Sequence, residues 1–158
     1  MAHIWIQDSQ QQITQRADIE IYLRRYGIWY EHWDVEGRVD VNAEAEDILN
    51  AYAPEIQRLI QRGNYVTADV INVSPSTPNL EALLDKFNKE HTHDEDEVRF
   101  VVKGRGIFHI NPGNGDPVFA VQTEAGDLIN VPRGTKHWFD LCEDRCIRCI
   151  RLLSRRWV

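Results

Sequence analysis

The sequence is short of positive charge, of long apolar runs and of paired thiols, and each shortage closes off a class of function. Its 18 lysines and arginines stand against 25 aspartates and glutamates, a formal net charge of −7. That balance argues against a nucleic-acid partner and against an anionic membrane surface. No apolar stretch approaches the ~20 residues of a bilayer span. The N-terminus also lacks the basic-then-apolar layout of a secretory signal, so a cytoplasmic protein is expected. Cysteine is confined to Cys142, Cys146 and Cys149. An odd number closes no complete disulfide framework, and Cys146-x-x-Cys149 has no second pair with which to enclose zinc. In a strand those two would face opposite sides. Reduced, structural thiols are expected. No internal repeat, low-complexity segment or sharp composition break divides the 158 residues, which therefore read as one domain.

What is present changes character near residue 90. The first part is mixed. Ile4 to Ile6 suggests a short strand and Ile19 to Tyr26 a short helix, while Trp29, Tyr30 and Trp33 read as cover for an apolar surface. From Glu44 to Arg62 the apolar residues recur at helical spacing, and Pro54 suits the first turn of a second helix better than the middle of one. Gly63 closes that pair. Tyr65 to Val73 alternates as a strand, and Asn79 to Phe87 gathers Leu80, Leu83, Leu84 and Phe87 on one helical side. Beyond residue 90 come strand-like runs at 97–103, 107–110, 118–123, 127–131, 137–141 and 145–153, separated by turn residues, Gly104-Arg105-Gly106 being read as a hairpin turn. Short strands at near-regular spacing indicate a mainly β protein, an antiparallel sandwich or barrel with a few short helices in its N-terminal half.

The chemistry concentrates in His91-Thr92-His93-Asp94-Glu95-Asp96-Glu97-Val98-Arg99-Phe100. On a strand, residues 91, 93, 97 and 99 share one face, whereas a helix turns about 100° per residue and would splay the two histidines apart. A strand thus presents two imidazoles, a carboxylate and an arginine to one interior. Glu95 shares their parity and is the rival carboxylate, turned outward if Asp94 to Asp96 form a loop. His137 follows a run of tight-turn residues and opens another strand with Phe139 on its face. If that strand pairs with or crosses the first, His137 completes a set of three imidazoles and one carboxylate. Such a set suits Fe(II), Mn, Co, Ni or, with fewer ligands, Zn, and leaves two positions of an octahedron open for substrate. His3, His32 and His109 read as packing or surface residues.

These residues together resemble the two cupin motifs, His91-x-His93-x3-Glu97-x6-Gly104 and Gly126-x5-Pro132-x-Gly134-x2-His137. Asp85 stands where the first motif usually has glycine, and Leu141 where an asparagine usually follows the second. The wording Phe87-x3-His91-Thr92-His93-x3-Glu97-Val98-Arg99-Phe100, with Ala51-Tyr52-Ala53-Pro54-Glu55-Ile56 and Gly63-Asn64-Tyr65 before it, is similar to the acireductone dioxygenases of methionine salvage. That resemblance runs from about residue 40 to residue 153. It implies a cupin-type jelly roll, residues 1–158 forming one cupin domain with a mixed N-terminal part (1–90) and a metal-binding β core (91–153). It further implies one Fe(II) or Ni(II) per chain on His91, His93, Glu97 and His137, with Arg99 and Arg151 as catalytic residues and Phe87, Phe139 and Trp157 lining the substrate pocket. Implied partners are O2 and the small molecule 1,2-dihydroxy-5-(methylthio)pent-1-en-3-one, met by a monomer. Products would be 4-methylthio-2-oxobutanoate and formate with iron, or 3-(methylthio)propanoate, formate and carbon monoxide with nickel. The family usually continues past the tryptophan matched by Trp157, whereas this sequence ends at Val158. Other readings of the same metal site are another cupin oxygenase or isomerase, or a non-catalytic cupin that binds a metal or ligand.

Overall fold

A computed structural model describes residues 1–63, 65–93 and 95–153. Its architecture is the expected mainly β, cupin-type one, and it is organised by a single long strand. In chain order the described elements are β1 (His3–Ile6), β2 (Gln12–Ile13), α1 (Arg16–Arg24), β3 (Tyr30–His32), α2 (Ala45–Ala51), α3 (Ala53–Arg62), β4 (Thr67–Val73), α4 (Leu80–Phe87), β5 (Glu97–Asn111), β6 (Phe119–Glu124), β7 (Asp127–Val131), β8 (Lys136–Leu141) and β9 (Ile147–Leu153). Every pairing among these strands is antiparallel.

The two runs read as 97–103 and 107–110 are one strand, β5. Gly104-Arg105-Gly106 is not a hairpin turn. The strand bends there instead, with its register against β9 shifting between Val101 and Lys103. Its first half pairs with β7 and β9, its second half with β6 and β8. One sheet therefore runs β3-β7-β5-β9-β4 and the other β2-β1-β6-β5-β8, both curling from the shared strand. Gly104 has φ +79, and a Cβ there would lie 2.1 Å from the Cys146 carbonyl oxygen. The glycine marks a bulge and a close backbone approach, which in a sequence carries the same signature as a turn.

Alternation along β5 assigns its faces. Val98, Phe100 and Val102 point outward and pack with Ile48, Tyr52, Ile56 and Leu59 of α2 and α3. Glu97, Arg99 and Val101 point inward and line a cavity. The helix pair breaks where proline allows it, Pro54 lying in the first turn of α3. Gly63 caps that helix by donating to Leu59 O, in extended rather than left-handed backbone. Trp29 and Trp33 pack against the same outer cluster, as the sequence suggests. On the other sheet, Ile19, Tyr22 and Leu23 of α1 pack with Ile4, Phe119 and Val121. Strand β3 was not anticipated. It pairs with β7, and its Tyr30 hydroxyl donates at 2.6 Å to the fully buried Asp127 carboxylate, which also accepts from the Glu124 amide at 2.9 Å.

Candidate metal centre

His91 and His93 do not lie on the strand that carries Glu97 and Arg99. His91 forms an isolated bridge with His137 of β8, and β5 begins only at Glu97. Backbone bonds hold the chain between them in place. His91 and His137 exchange N–H···O bonds of 2.9 and 3.0 Å, and the Gly134 amide donates to His93 O at 2.9 Å. The Arg133 amide donates to the Asp96 carboxylate at 2.9 Å. The glycine and proline turns between β7 and β8 thus form a clamp that aligns one histidine loop with the start of the next strand. His137 pairs with Ile110 at the far end of β5, and it meets Glu97 because the bent strand brings its two ends to the same mouth.

The ligand-capable atoms of His91, His93 and His137 lie within 4.8 Å of one another. Glu97 completes the group, its Oε2 standing 3.1 Å from His137 Nε2. His91 Nδ1 is 2.7 Å from Lys89 O, and His137 Nδ1 is 2.8 Å from Thr135 O. A carbonyl only accepts, so each Nδ1 donates a proton and leaves Nε2 free to coordinate. His137 Nε2 is buried and makes no well-directed hydrogen bond, although a carboxylate oxygen stands beside it. Two acceptors that close require a proton or a cation between them. The donor set fits a divalent metal on that observation.

The charges agree. Burial works against the Glu97 carboxylate, but the Arg99 guanidinium, then His137 and His93, outweigh it and hold its pKa down at about 2. Burial lowers the pKa of His93, disfavouring its charged form. Burial also opposes protonation of His137, but its contact with Glu97 reverses the direction and raises its pKa. A metal would take the place of that proton.

Below this mouth lies a cavity of about 320 Å³. Arg99 and Arg151 face each other across β5 and β9 at its upper end. Arg99 donates to Glu97 Oε1 at 2.8 Å and to Val98 O at 3.0 Å. Arg151 is gripped at two points by Asp69, at 2.9 and 2.6 Å. Phe87 and Phe139 line the wall as the sequence reading expects, with Leu84 of α4, Ile71 of β4 and Phe108 added by the structure. Trp157 lies outside the described residues. Glu95 does not line the cavity. His109 points away from it, stacking on Trp138 with its ring 4.8 Å distant and pairing with Asp140 at 3.3 Å.

Asp69 and Cys149 were missed as site residues. The signal for Asp69 was parity, since it alternates with Ile71 and Val73 on a strand whose partner carries Arg151. Cys149 is buried in the cavity wall, and burial pushes its thiol up to about 11. At pH 8 it is therefore a neutral thiol. Iodoacetamide should label Cys142 and Cys146 in the folded protein, and Cys149 only after denaturation, with peptide mass spectrometry reading the order. Equal labelling of all three in the folded state would contradict this burial.

The ARD/ARD' family model matches residues 5–158. The chain belongs to that family. Among its ARD relatives, an acireductone dioxygenase of Picosynechococcus sp. is 42% identical over 154 residues, covering 98% of this chain and 87% of the relative. One of Stutzerimonas stutzeri is 46% identical over 144 residues, covering 90% and 77%. A solved ARD structure, acireductone dioxygenase from Bacillus anthracis with a cadmium ion in its active centre, superposes with a TM-score of 0.91 at 37% identity, covering 98% of this chain and 94% of that one.

Proposed function

We propose that the chain is an acireductone dioxygenase that holds Fe(II) or Ni(II) on His91, His93, Glu97 and His137. The observation that carries the reading is the unpartnered His137 Nε2 beside the Glu97 carboxylate, directly above an apolar cavity headed by two arginines. Family membership supports the reaction class. When bound, the metal supplies a template and Lewis acid for the adjacent oxygens of an enediol. The substrate is 1,2-dihydroxy-5-(methylthio)pent-1-en-3-one, cleaved with O2 to 4-methylthio-2-oxobutanoate and formate by the iron form. The nickel form gives 3-(methylthio)propanoate, formate and carbon monoxide. We read residues 1–158 as a single domain acting as a cytoplasmic monomer, with no nucleic-acid or membrane partner. Among the described residues no helix is long and apolar enough to cross a membrane.

The side chains divide the work by position. Arg99, fixed by Glu97 and Val98 O, offers its cation to the enediolate oxygens in a water-poor cavity, where such preorganised charge stabilises the transition state most. Arg151, oriented by Asp69, assists from the opposite strand. Phe87 and Phe139 exclude water and accept the apolar tail, with Trp157 proposed for the same wall.

Anaerobic addition of acireductone to the iron- and nickel-loaded protein, followed by oxygen, tests the reading. Formate from both forms and carbon monoxide from nickel alone are expected, and oxygen uptake without formate from either would sink the proposal. Arg99→Ala should retain metal and lose about 10²–10³-fold in kcat, the range for removing one preorganised donor. His93→Ala should lose metal, measured by plasma mass spectrometry of the dialysed protein.

A further inference from the structure

The cavity is polar at one end and apolar at the other, and the strand register orders it in layers. Asp69, Arg151 and Arg99 lie in one row across β4, β9 and β5. Ile71, Cys149 and Val101 form the next row, and Val73 and Ile147 the next, where Ile147 meets Gly104 at the bend of β5. On the facing strand the order is His137, Phe139, Leu141, with Leu141 paired to Gly106. The cavity therefore descends from the histidines and arginines at its mouth to a floor at the strand bend.

Gly106 occupies that floor without contributing a side chain. Its backbone is not in the left-handed region, so alanine is conformationally allowed. A Cβ there would lie 2.4 Å from the Phe139 ring tip, too short to stand, and 3.1 Å from Ile147 Cδ1, close enough that the isoleucine must give slightly. Phe139 and Ile147 each line the cavity. A methyl group at 106 would therefore displace a ring that itself forms part of the cavity wall.

We infer that Gly106 is a specificity-determining residue, its missing side chain setting how long an apolar tail the cavity accepts below the metal-facing head group. The inference rests on the proposed function for what enters the cavity, but the depth limit itself is a property of the walls.

The test uses metal-loaded protein and a series of linear alkanehydroxamates, a chelating head with a tail of increasing length, titrated by calorimetry. In the wild type each added methylene should tighten binding about fourfold until the floor is reached, after which affinity falls. Gly106→Ala should move that break to a tail shorter by one or two methylenes, and Ile147→Ala should move it to a longer one. A break at the same length in all three proteins, or no dependence on length in the wild type, overturns the inference. Should Gly106→Ala not fold, the lengthening by Ile147→Ala decides alone. Turnover of acireductones is scored separately. A length break that shifts as expected in a protein that never cleaves acireductone would refute the proposed function while leaving the depth limit standing.

Discussion

On the proposed ligand set, His137→Ala should abolish stable metal binding and, with it, dioxygenase turnover. Of the three histidines, His137 is the most buried, with 1% of its surface exposed. Its Nδ1 is tied to Thr135 O, and its backbone is bridged to His91. Alanine removes one imidazole from the proposed four-ligand set and leaves Glu97 buried beside Arg99 without its His137 partner. Loss of a group that merely orients a ligand costs about 10–100-fold in affinity, so loss of this ligand should exceed the upper figure. Competition with a chromophoric chelator measures it. His109→Ala is the control, because that ring stacks on Trp138 outside the cavity. Metal affinity within threefold of wild type in His137→Ala, using the ~10–100-fold scale as reference, would remove His137 from the ligand set.

Phe100→Ala should produce a large loss of stability. The ring is 2% exposed, and its centroid is 4.3 Å from that of Trp33 and 5.0 Å from that of Tyr52. It joins β5 to the α2–α3 layer on the side opposite the cavity. Emptying such a site costs about 3–5 kcal/mol, or roughly 6–20 °C in Tm for a chain of this size. Phe87→Ala makes the comparison informative, since that ring is 39% exposed at the cavity wall. Its truncation should leave Tm nearly unchanged and weaken substrate binding instead. A Phe100→Ala protein melting within 2 °C of wild type, against the roughly 2–4 °C expected per kcal/mol, would show that the outer layer contributes little.

The four proposed ligands were legible because metal chemistry narrows the choice of residue, and the motif spacing narrows it further. Their backbone was not. A strand through residues 91–99 gives the right set of converging side chains for the wrong reason. His91 and His93 converge on Glu97 because a loop is clamped to the β7–β8 turn by Gly134 and Arg133 amides. Those contacts depend on residues some 40 positions away in the chain, and no local pattern records them. Gly104 and Gly106 misled for a related reason. Glycine is selected both for turns and for close approach, and only the neighbouring Cys146 carbonyl and Phe139 ring distinguish the two. The charged row of Asp69, Arg151 and Arg99 needed the pairing order β4-β9-β5, which alternation alone does not supply.

The bend that joins the two sheets through β5 also bears on how the molecule comes apart. Each sheet holds one half of β5, so neither can open without loosening the strand on which the other is built. Unfolding should be a single cooperative event. Folding must wait for distant segments to find that strand, since β4, β6, β7, β8 and β9 all converge on it or on its immediate neighbour. Such non-local topology places the folding time toward the slow, millisecond-to-second end of the scale for small domains.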